Sequence, residues 1–330
     1  MTELNRENWD SFILSRNGSF LQSSSWGQFQ KSTGKKVLFL ENYDWQALVI
    51  INPLGFGKTY FYIPYGPIWN REKNSEQIIL ENFLNKLKSI AKKYNAIFLK
   101  IEPKTSDEKI AGILQNLGFK KAEKSIQPEN SLIVNIARPE KEIFESFEKR
   151  CRNEIKQAGK KNVSLCADSA DIGIKNFLEL LEKTAKRDSF RTHPLAYYQT
   201  LVKTLRSAGQ ADLFFAKIGQ NIISACVIVY FGATASYIHA ASDGPYRAAN
   251  ALVWTAIKEA KKKQCAYFDL YGVAPPGAAE SHPWRGLTKF KESFGGARTH
   301  YIGGFDYPIS NFEYNLYKVY KLYKDYIRIH

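Results

Sequence analysis

The chain repeats one order of predicted elements, and this repetition limits its fold more than any other feature. In each half, short β-rich runs lead into a turn with a Gly-Pro pair, then a helix and an apolar strand. The two turns are Tyr65-Gly66-Pro67 and Asp243-Gly244-Pro245. A single hydrophobic core stops growing at roughly 250–300 residues, so a chain of 330 residues is expected to form two domains. The sequence therefore predicts an α/β (α+β) protein built from a duplicated unit.

The first half is predicted to contain short strands and two helices. The helix from Ser75 to about Tyr94 has apolar residues at helical spacing, and Ser75 is a suitable N-cap. The second helix, about Asp107 to Leu117, stops at Gly118, a residue type common just after a helix end. The predicted strands are Val37–Leu40, Ala47–Ile51, Tyr60–Ile63 and Ala96–Ile101.

The second half follows the same plan. A helix is predicted over Lys141–Ala158, ending at Gly159, and Gly219-Gln220 is predicted as a tight hairpin turn. The other predicted helices are Gly173–Lys186, Leu195–Ala208 and Arg247–Lys263. The predicted strands are Ala211–Ile218, Asn221–Phe231, Ala235–Ala241 and Ala266–Tyr271.

The domain boundary is predicted at the polar segment Arg138-Pro139-Glu140. This gives a first domain over residues 1–137 and a second over residues 138–304. The tail is predicted as a helix over Asn311–His330, and residues from about 305 to 330 are expected to pack back on the first domain.

The chain is strongly basic. Lys and Arg outnumber Asp and Glu by 47 to 32, a net charge of +15. Such an excess indicates a polyanionic partner, which would be nucleic acid, a phosphorylated substrate or an anionic membrane face; a lysine-rich proteome is the alternative. The most apolar run, Ile222–Phe231, is half as long as a membrane-spanning helix requires, and the N-terminus has no apolar signal core. We therefore expect a soluble, cytoplasmic protein with reduced cysteines.

Familiar catalytic motifs are absent from the sequence. It contains no metalloprotease, P-loop or serine-hydrolase motif, and its histidines have no ligand-like spacing, so we expect no metal site. Gly55-Phe56-Gly57-Lys58 is predicted to be a plain hairpin turn. Acetyl-CoA-dependent relatives of such α/β units bind pyrophosphate with glycines at a helix start. Here that helix opens Arg247-Ala248-Ala249-Asn250, without these glycines. Side chains at these positions would keep the backbone N–H groups away from a pyrophosphate, so coenzyme A is a poor candidate.

The most specific signal is a set of motifs that cover nearly the whole chain in one order. The longest are Tyr267-Phe268-Asp269-Leu270-Tyr271-Gly272-Val273 and Gly286-Leu287-Thr288-Lys289-Phe290-Lys291-Glu292-Ser293-Phe294-Gly295-Gly296. The shorter ones are Gln22-Ser23-Ser24-Ser25-Trp26, Pro64-Tyr65-Gly66-Pro67, Glu102-Pro103 and Ser242-Asp243-Gly244. With these motifs the chain resembles the FemABX family of aminoacyltransferases, which act on peptidoglycan precursors.

The resemblance implies a fold of two tandem acetyltransferase-like (GNAT-type) domains, in agreement with the duplicated unit. No long polar heptad segment interrupts the second half. The chain is therefore similar to the compact FemX subtype, without the coiled-coil arm of FemA and FemB.

The resemblance also implies catalytic roles. Phe290 and Lys291 match the family's Phe-Lys pair near the acceptor end of tRNA, where a cation would neutralise the oxyanion formed by amine attack. The alternative is a surface lysine after a core phenylalanine. Glu102 lies where the family often has Asp before Pro. A carboxylate there would orient or deprotonate the attacking ammonium, unless it is an ordinary acid at a strand end.

Two positions depart from the FemX pattern for binding the precursor's phosphates. The family lysine falls on Gln30, next to Lys31, and the family arginine falls on His193, two residues after Arg191. Lys31, Arg191 and Arg187 would supply the missing charge. Further residues expected at the substrate site are Tyr65, Tyr197, Tyr237 and His239, with aromatic core packing as the alternative for the tyrosines.

One basic face of a predicted helix is expected to contact tRNA phosphates. The alternative is an ordinary solvent-exposed helix face, which is what a run of basic residues usually forms. The residues of the basic face are Lys149, Arg150, Arg152 and Lys156, followed by Lys160-Lys161.

The function predicted from the resemblance is transfer of an amino acid from aminoacyl-tRNA to the stem peptide of a peptidoglycan precursor, with no metal and no coenzyme. The acceptor would be UDP-MurNAc-pentapeptide or lipid II, and the charge also suits contact with the inner membrane face. The alternatives are an acyl-CoA-dependent N-acyltransferase on the same fold and a non-catalytic RNA- or envelope-binding protein.

Overall fold

The structure is a computed structural model that describes residues 5–70, 72–160, 162–168, 172–188, 190–243 and 248–329. Backbone contacts divide the chain into two compact units. The first comprises the residues up to Glu129 together with those from Tyr301 onward, and the second comprises Asn130–His300. The mixed α/β class predicted from the sequence is confirmed.

The first unit is a seven-stranded sheet with helices. Its helices are α1 (Arg6–Leu14), α2 (Ser24–Ser32), α3 (Glu76–Ala91), α4 (Glu108–Asn116) and α11 (Asn311–Ile329). Its strands are β1 (Lys36–Glu41), β2 (Trp45–Gly55), β3 (Lys58–Pro64), β4 (Ile68–Trp69), β5 (Ala96–Glu102), β6 (Lys120–Lys121) and β14 (Phe305–Pro308). The strand order is β1-β2-β3-β5-β14-β6, with β4 paired to β2.

The second unit also has a seven-stranded sheet. Its helices are α5 (Glu140–Glu145), α6 (Lys149–Lys160), α7 (Ile172–Asp188), α8 (Leu195–Ser207), α9 (Ala249–Lys262) and α10 (Arg285–Glu292). Its strands are β7 (Asn130–Asn135), β8 (Val163–Asp168), β9 (Ala211–Ile218), β10 (Asn221–Phe231), β11 (Thr234–Ser242), β12 (Tyr267–Gly272) and β13 (Ala297–His300). The strand order is β13-β7-β12-β11-β10-β9-β8.

The duplication is visible in the two sheets. In the first, the antiparallel meander β1-β2-β3 is followed by α3 and by β5, which pairs parallel to β3. In the second, the antiparallel meander β9-β10-β11 is followed by α9 and by β12, parallel to β11. A parallel neighbour needs a crossover, which α3 and α9 provide. Their apolar faces fill the cores: Phe83 and Leu87 in the first unit, Leu252 and Ala256 in the second.

Each sheet also contains one strand that comes from a distant part of the chain. β14 lies between β5 and β6, and β7 lies between β12 and β13. Because β7 pairs with β12, contacts place the unit boundary before β7, ahead of the predicted boundary at Arg138-Pro139-Glu140.

Most predicted elements agree with the structure, but one helix is wrong. The predicted helix Lys141–Ala158 is two helices, because the chain turns at Ser146, whose N–H group bonds back to the carbonyls of Glu142 and Ile143. Helix α6 also continues through Gly159 to Lys160. The predicted N-cap Ser75 is in place but makes no capping hydrogen bond through its side chain.

Some predictions fall outside the described residues. They are the Gly244-Pro245 part of the second turn, the helix start at Arg247, Lys161 of the basic helix, and the last residue of the tail, His330. Among the described residues, no helix is both long and apolar enough to cross a membrane.

We predict that two neighbouring residues of β12 differ sharply in their effect on stability. Phe268 is fully buried in the core of the second unit, whereas Tyr267 is 46% exposed. Phe268→Ala should lower the free energy of unfolding by about 3–5 kcal/mol, because it removes apolar contacts and leaves a cavity. The control Tyr267→Ala should change it by about 0.5 kcal/mol or less. Denaturant unfolding measures both, and equal losses would contradict the assigned strand orientation.

Candidate functional site

The second unit contains an open cleft of about 500 Å³ beside the start of α9. Phe290 of α10 forms part of its wall and packs edge-on against the buried Phe294, with 5.4 Å between ring centroids. The lining residues are Glu148, Arg150, Cys151, Glu154, Asn250, Gly286, Lys289, Phe290, Glu292 and Ser293. A smaller hollow shares four of these residues and extends to Ser242, Asp243, Ala248 and Ala249. We call the two hollows together the α9 cleft.

Buried polar side chains form one side of the α9 cleft. Asn250 and Ser293 are largely buried and both hydrogen-bond to the thiol of Cys151. Burial raises the pKa of the Cys151 thiol, which these hydrogen bonds only partly oppose. Cys151 therefore stays a neutral thiol, and it is not suited to act as a nucleophile.

Lys291 follows Phe290 on α10 and lies between residues that line the cleft. Its side chain is buried, and Nζ donates a hydrogen bond of 2.6 Å to the carbonyl oxygen of Gly272 at the end of β12. Burial lowers the pKa of Lys291 to about 8, an effect that the negative charge of Asp269 opposes. Asp269 is itself buried and accepts hydrogen bonds from the hydroxyl of Ser131 and the N–H group of Tyr271. The protonation of Lys291 therefore depends on two opposing effects, burial and the charge of Asp269.

Glu102 is the last residue of β5 in the first unit and is 2% exposed. Its carboxylate accepts hydrogen bonds from the Tyr62 hydroxyl (2.6 Å) and from the N–H groups of Ile126 (2.5 Å) and Gln127 (3.1 Å). Burial raises the pKa of Glu102, and these hydrogen bonds oppose the rise. The contacts show a carboxylate that holds the segment before β7.

Tyr65 is brought close to the same segment. Pro64, just before it, pairs with Glu102 across the parallel strands β3 and β5. The Tyr65 hydroxyl donates to the carbonyl oxygen of Pro128 at 2.9 Å, and Nζ of Lys104 lies 5.5 Å from the ring centroid. Two of the predicted site residues, Glu102 and Tyr65, thus lie at the carboxyl ends of two neighbouring strands.

Gln30 and Lys31 lie on α2 and face different surroundings. Gln30 is 4% exposed, and its Oε1 has no hydrogen-bond partner among the described residues. Lys31 is exposed, with Nζ 5.1 Å from the centroid of the Phe39 ring. Only Lys31 can therefore present a positive charge to solvent at this position.

The second unit contains an aromatic group near the start of α8. The ring of His193 stacks on that of Tyr197 with centroids 4.0 Å apart, and the backbone N–H group of His193 donates to the Tyr198 hydroxyl. The ring of His239 on β11 meets Tyr198 edge-on at 5.0 Å and Tyr197 at 6.3 Å. Burial lowers the pKa of His239 to about 3, with a further contribution from His193, so this imidazole is neutral at physiological pH.

Other predicted substrate residues do not join this aromatic group. Tyr237 packs in the core of the second unit with Phe268, because a bulge in the β10–β11 pairing separates it from His239. Arg187 is bound to Asp188 and donates to the carbonyl oxygen of Ser242 at 2.6 Å. Arg191 is exposed.

The basic helix α6 presents only part of its charge to solvent. Lys149 and Arg150 are exposed and line a shallow hollow, where Arg150 pairs with Glu154 at 3.1 Å. The guanidinium of Arg152 instead donates to the carbonyl oxygens of Glu145 and Phe147. Exposed Lys156 lies with Nζ 5.8 Å from the centroid of the Phe144 ring.

Sequence reasoning missed several polar residues at these sites, notably Asn250, Ser293, Tyr198 and the Ser131–Asp269 pair. Ser293 and Asp269 stand inside the quoted motifs, and Tyr198 follows the predicted Tyr197. Their roles depend on tertiary contacts that the sequence does not reveal. Within the described ranges, no three His, Cys, Asp or Glu side chains are grouped to hold a metal ion.

Comparison with known proteins gives a consistent assignment. The profile of the FemAB family matches residues 4–221 and 205–322. A lipid II:glycine glycyltransferase of Staphylococcus haemolyticus is 31% identical over 229 residues, which cover 63% of this chain and 53% of that protein. The chain thus spans about half the length of the curated relatives it matches.

Solved structures support the fold. A crystal structure of FemX superposes with a TM-score of 0.85 at 21% identity, covering 96% of this chain and 98% of that one. A tandem GNAT protein from the clavulanic acid pathway gives a TM-score of 0.58 at 8% identity, covering 93% and 96%. The predicted pair of acetyltransferase-like units is confirmed at the level of fold.

We predict that Lys291 makes stability depend on alkaline pH. Its folded-state pKa, about 8, lies below the ordinary value of 10.5. Between these values the unfolded chain binds more protons, so the free energy of unfolding should rise with pH, by about 3 kcal/mol in full. Urea unfolding across this window should show the rise in the native protein and in Lys289→Met, but not in Lys291→Met. The same slope in all three would show that Lys291 has an ordinary pKa.

Proposed function

The chain belongs to the FemAB family, and we propose on that premise that it transfers an amino acid from aminoacyl-tRNA to the stem peptide of a peptidoglycan precursor. The observation that carries the proposal is the family match, which extends over both units. The names of the similar proteins, lipid II:glycine glycyltransferases, give the substrate class. The FemX-like fold across nearly the whole chain agrees with this assignment.

The proposed reaction is an aminolysis. An amine of the stem peptide attacks the ester carbonyl of aminoacyl-tRNA, a tetrahedral intermediate forms, and the C–O bond to the ribose breaks. The amine loses a proton and the ribose oxygen gains one. Because the ester is already activated, positioning and charge stabilisation supply most of what the reaction needs.

Lys291 is the residue to which we assign oxyanion stabilisation. An ammonium group has three N–H donors, and the hydrogen bond to Gly272 uses one of them. A buried cation stabilises a nearby developing negative charge far more than an exposed one, because little water screens it. Its neighbour Phe290 lines the α9 cleft, where we place the acceptor end of the tRNA.

The exposed cations of α6 are assigned to the tRNA backbone. Lys149 and Arg150 are exposed, and Arg150 also lines the α9 cleft. Binding through these residues should weaken as salt rises, because phosphate contacts release counterions. Arg152 is left out of the interface, since its guanidinium is bound to backbone carbonyls.

The test is transfer of radiolabelled amino acids from a mixed aminoacyl-tRNA pool to UDP-linked and lipid-linked muropeptide precursors. Label should appear in one or both acceptors, survive a metal chelator and disappear after ribonuclease treatment. A thermal-shift titration with acetyl-CoA tests the coenzyme alternative in parallel. Folded protein and intact donor without transfer to either acceptor would contradict the proposal.

We predict that Lys291→Met lowers turnover by about 10²–10³-fold, the loss typical of removing one oxyanion donor. The KM for the precursor should change much less, because the ground-state carbonyl gains little from the cation. Turnover of the native enzyme should also fall above about pH 8, as Lys291 loses its charge. Steady-state kinetics against pH measure both effects. Lys203→Met is the matched control, since Lys203 is exposed on α8 and lies outside the α9 cleft, and small, equal effects of both variants would remove Lys291 from the mechanism.

Glu102 is better placed to hold a loop than to exchange a proton, and we propose it as a positioning residue. In Glu102→Gln an amide NH₂ replaces one of the two oxygens that accept hydrogen bonds from Tyr62, Ile126 and Gln127. At least one of these buried donors then loses its acceptor, so the free energy of unfolding should fall by about 1–3 kcal/mol. The pH profile of turnover should keep its shape. Exposed Glu108→Gln is the control. Loss of the acid limb of the profile in Glu102→Gln would instead identify a general base.

A further inference from the structure

Helix α11 presents a line of large apolar side chains to solvent. Phe312, Leu316, Val319 and Tyr323 are 79%, 60%, 63% and 63% exposed. Their spacing of four, three and four residues places them on one face of a helix. We call these four residues the α11 stripe. Leu322 at 62% and Tyr320 at 51% exposure lie beside the stripe and widen it.

The opposite face of α11 is fixed to the first unit. Tyr314 is buried, packs at 5.2 Å from the Phe98 ring and donates to Asp306 at 2.8 Å. Tyr317 stacks on Phe98 at 5.3 Å. Asp306 is also paired with the largely buried Lys100 at 2.6 Å. These contacts hold the helix in one rotation about its axis, so the stripe faces away from the sheet.

The stripe is too large to be ordinary surface. All six residues are more than half exposed, and a contiguous apolar patch larger than about 300–600 Å² is unusual on a monomer and marks an interaction site. Its composition is aliphatic and aromatic, with two tyrosines. Tyrosine is enriched where an apolar phase meets water, because its ring and hydroxyl prefer different sides of the boundary.

Lysines surround the same helix. Lys318 of α11 pairs with Glu123, and Lys321 lies within electrostatic range of that carboxylate. Glu123 is flanked by Lys120, Lys121 and Lys124, all exposed. Lys121 is bound to Glu129 and to the carbonyl oxygen of Ile302, so we call only the exposed Lys120, Lys124 and Lys321 the α11 rim. A helix is about 10 Å across and the Debye length is about 8 Å in physiological salt, so salt weakens the attraction between the rim and an anionic surface beyond the stripe, and the attraction grows as ionic strength falls.

We propose that the α11 stripe docks on an anionic lipid bilayer, with its apolar side chains in the headgroup region and the α11 rim above the phosphates. Helices with an apolar face and basic surroundings bind membranes in this way. The proposal rests on the proposed function in one respect: docking brings the enzyme to a lipid-linked acceptor.

A second copy of this chain is the competing occupant, and charge argues against it. Each chain carries a net charge of +15, so two copies meeting at α11 would bring their lysine rims together. The same charge favours binding to phosphatidylglycerol. An anionic membrane is therefore a more favourable partner for the α11 stripe than a second copy of the chain.

The test is co-sedimentation with vesicles of phosphatidylcholine alone and of an equimolar mixture with phosphatidylglycerol. The native protein should bind the mixed vesicles, more weakly at high salt, and bind phosphatidylcholine alone at least about tenfold less. Leu316→Glu/Val319→Glu should reduce binding to the mixed vesicles by at least about tenfold, because it places two charges in the stripe. Ile78→Glu is the matched control, since Ile78 is 46% exposed on α3 and should leave binding unchanged.

Two further readouts separate this proposal from the function. Circular dichroism and light scattering show whether the double variant is folded and whether the native protein is a dimer. Transfer to the water-soluble UDP-linked precursor should be unaffected in the double variant, while transfer to lipid-linked precursor in vesicles should fall at least about tenfold.

Equal vesicle binding by native protein and folded double variant would overturn the proposal. A native dimer that the double variant converts to monomer, without vesicle binding, would assign the stripe to self-association instead. Absence of transfer by the native enzyme to any acceptor would refute the proposed function alone.

Discussion

The parallel strand pair in each unit is the constraint on which the sites depend. β3 and β5 run parallel, as do β11 and β12, and a parallel pair ends at a common edge. In the first unit this edge places Tyr65 beside Glu102. In the second it places Gly272, whose carbonyl oxygen binds Lys291, at the end of the strand next to β11. Because the crossover helices α3 and α9 are packed deep in the cores, these strand ends cannot shift without disturbing the cores beneath them.

Burial of charge is the second constraint, and it acts differently in the two units. The cost of burying the Glu102 carboxylate is offset by three hydrogen bonds from its own unit, and these bonds hold the segment before β7. The buried Lys291 bonds to a neutral carbonyl oxygen, and its lowered pKa shows that desolvation outweighs the attraction of Asp269. A cation left in this state gains more from a new negative charge than a fully paired cation would. The contrast supports a catalytic role for Lys291 and a positioning role for Glu102.

The sequence predicted the fold better than the sites, for reasons visible in particular residues. Strands Ala211–Ile218 and Asn221–Phe231 follow from local pattern alone, and the structure has the same bounds. The turn at Ser146 was missed because the apolar spacing continues across it from Phe144 to Cys151, while the break depends on backbone hydrogen bonds. Site geometry was harder still. Whether Arg152 faces tRNA or the end of α5 depends on its rotamer, which no periodicity in the sequence determines.

The distribution of the basic residues changes how the net charge should be interpreted. Several cations that contribute to +15 are engaged inside the protein. Lys261 donates to the carbonyl oxygens of Ile136 and Arg138, Lys100 pairs with Asp306, and Arg152 binds the carbonyl of Glu145. These cations satisfy backbone or carboxylate groups and contribute little to the attraction of a polyanion. Exposed lysines and arginines are spread over both units, and two groups of them lie on α6 in the second unit and around α11 in the first. Composition alone left tRNA and membrane as equal explanations of the charge, whereas two separate basic regions allow a distinct anionic partner for each.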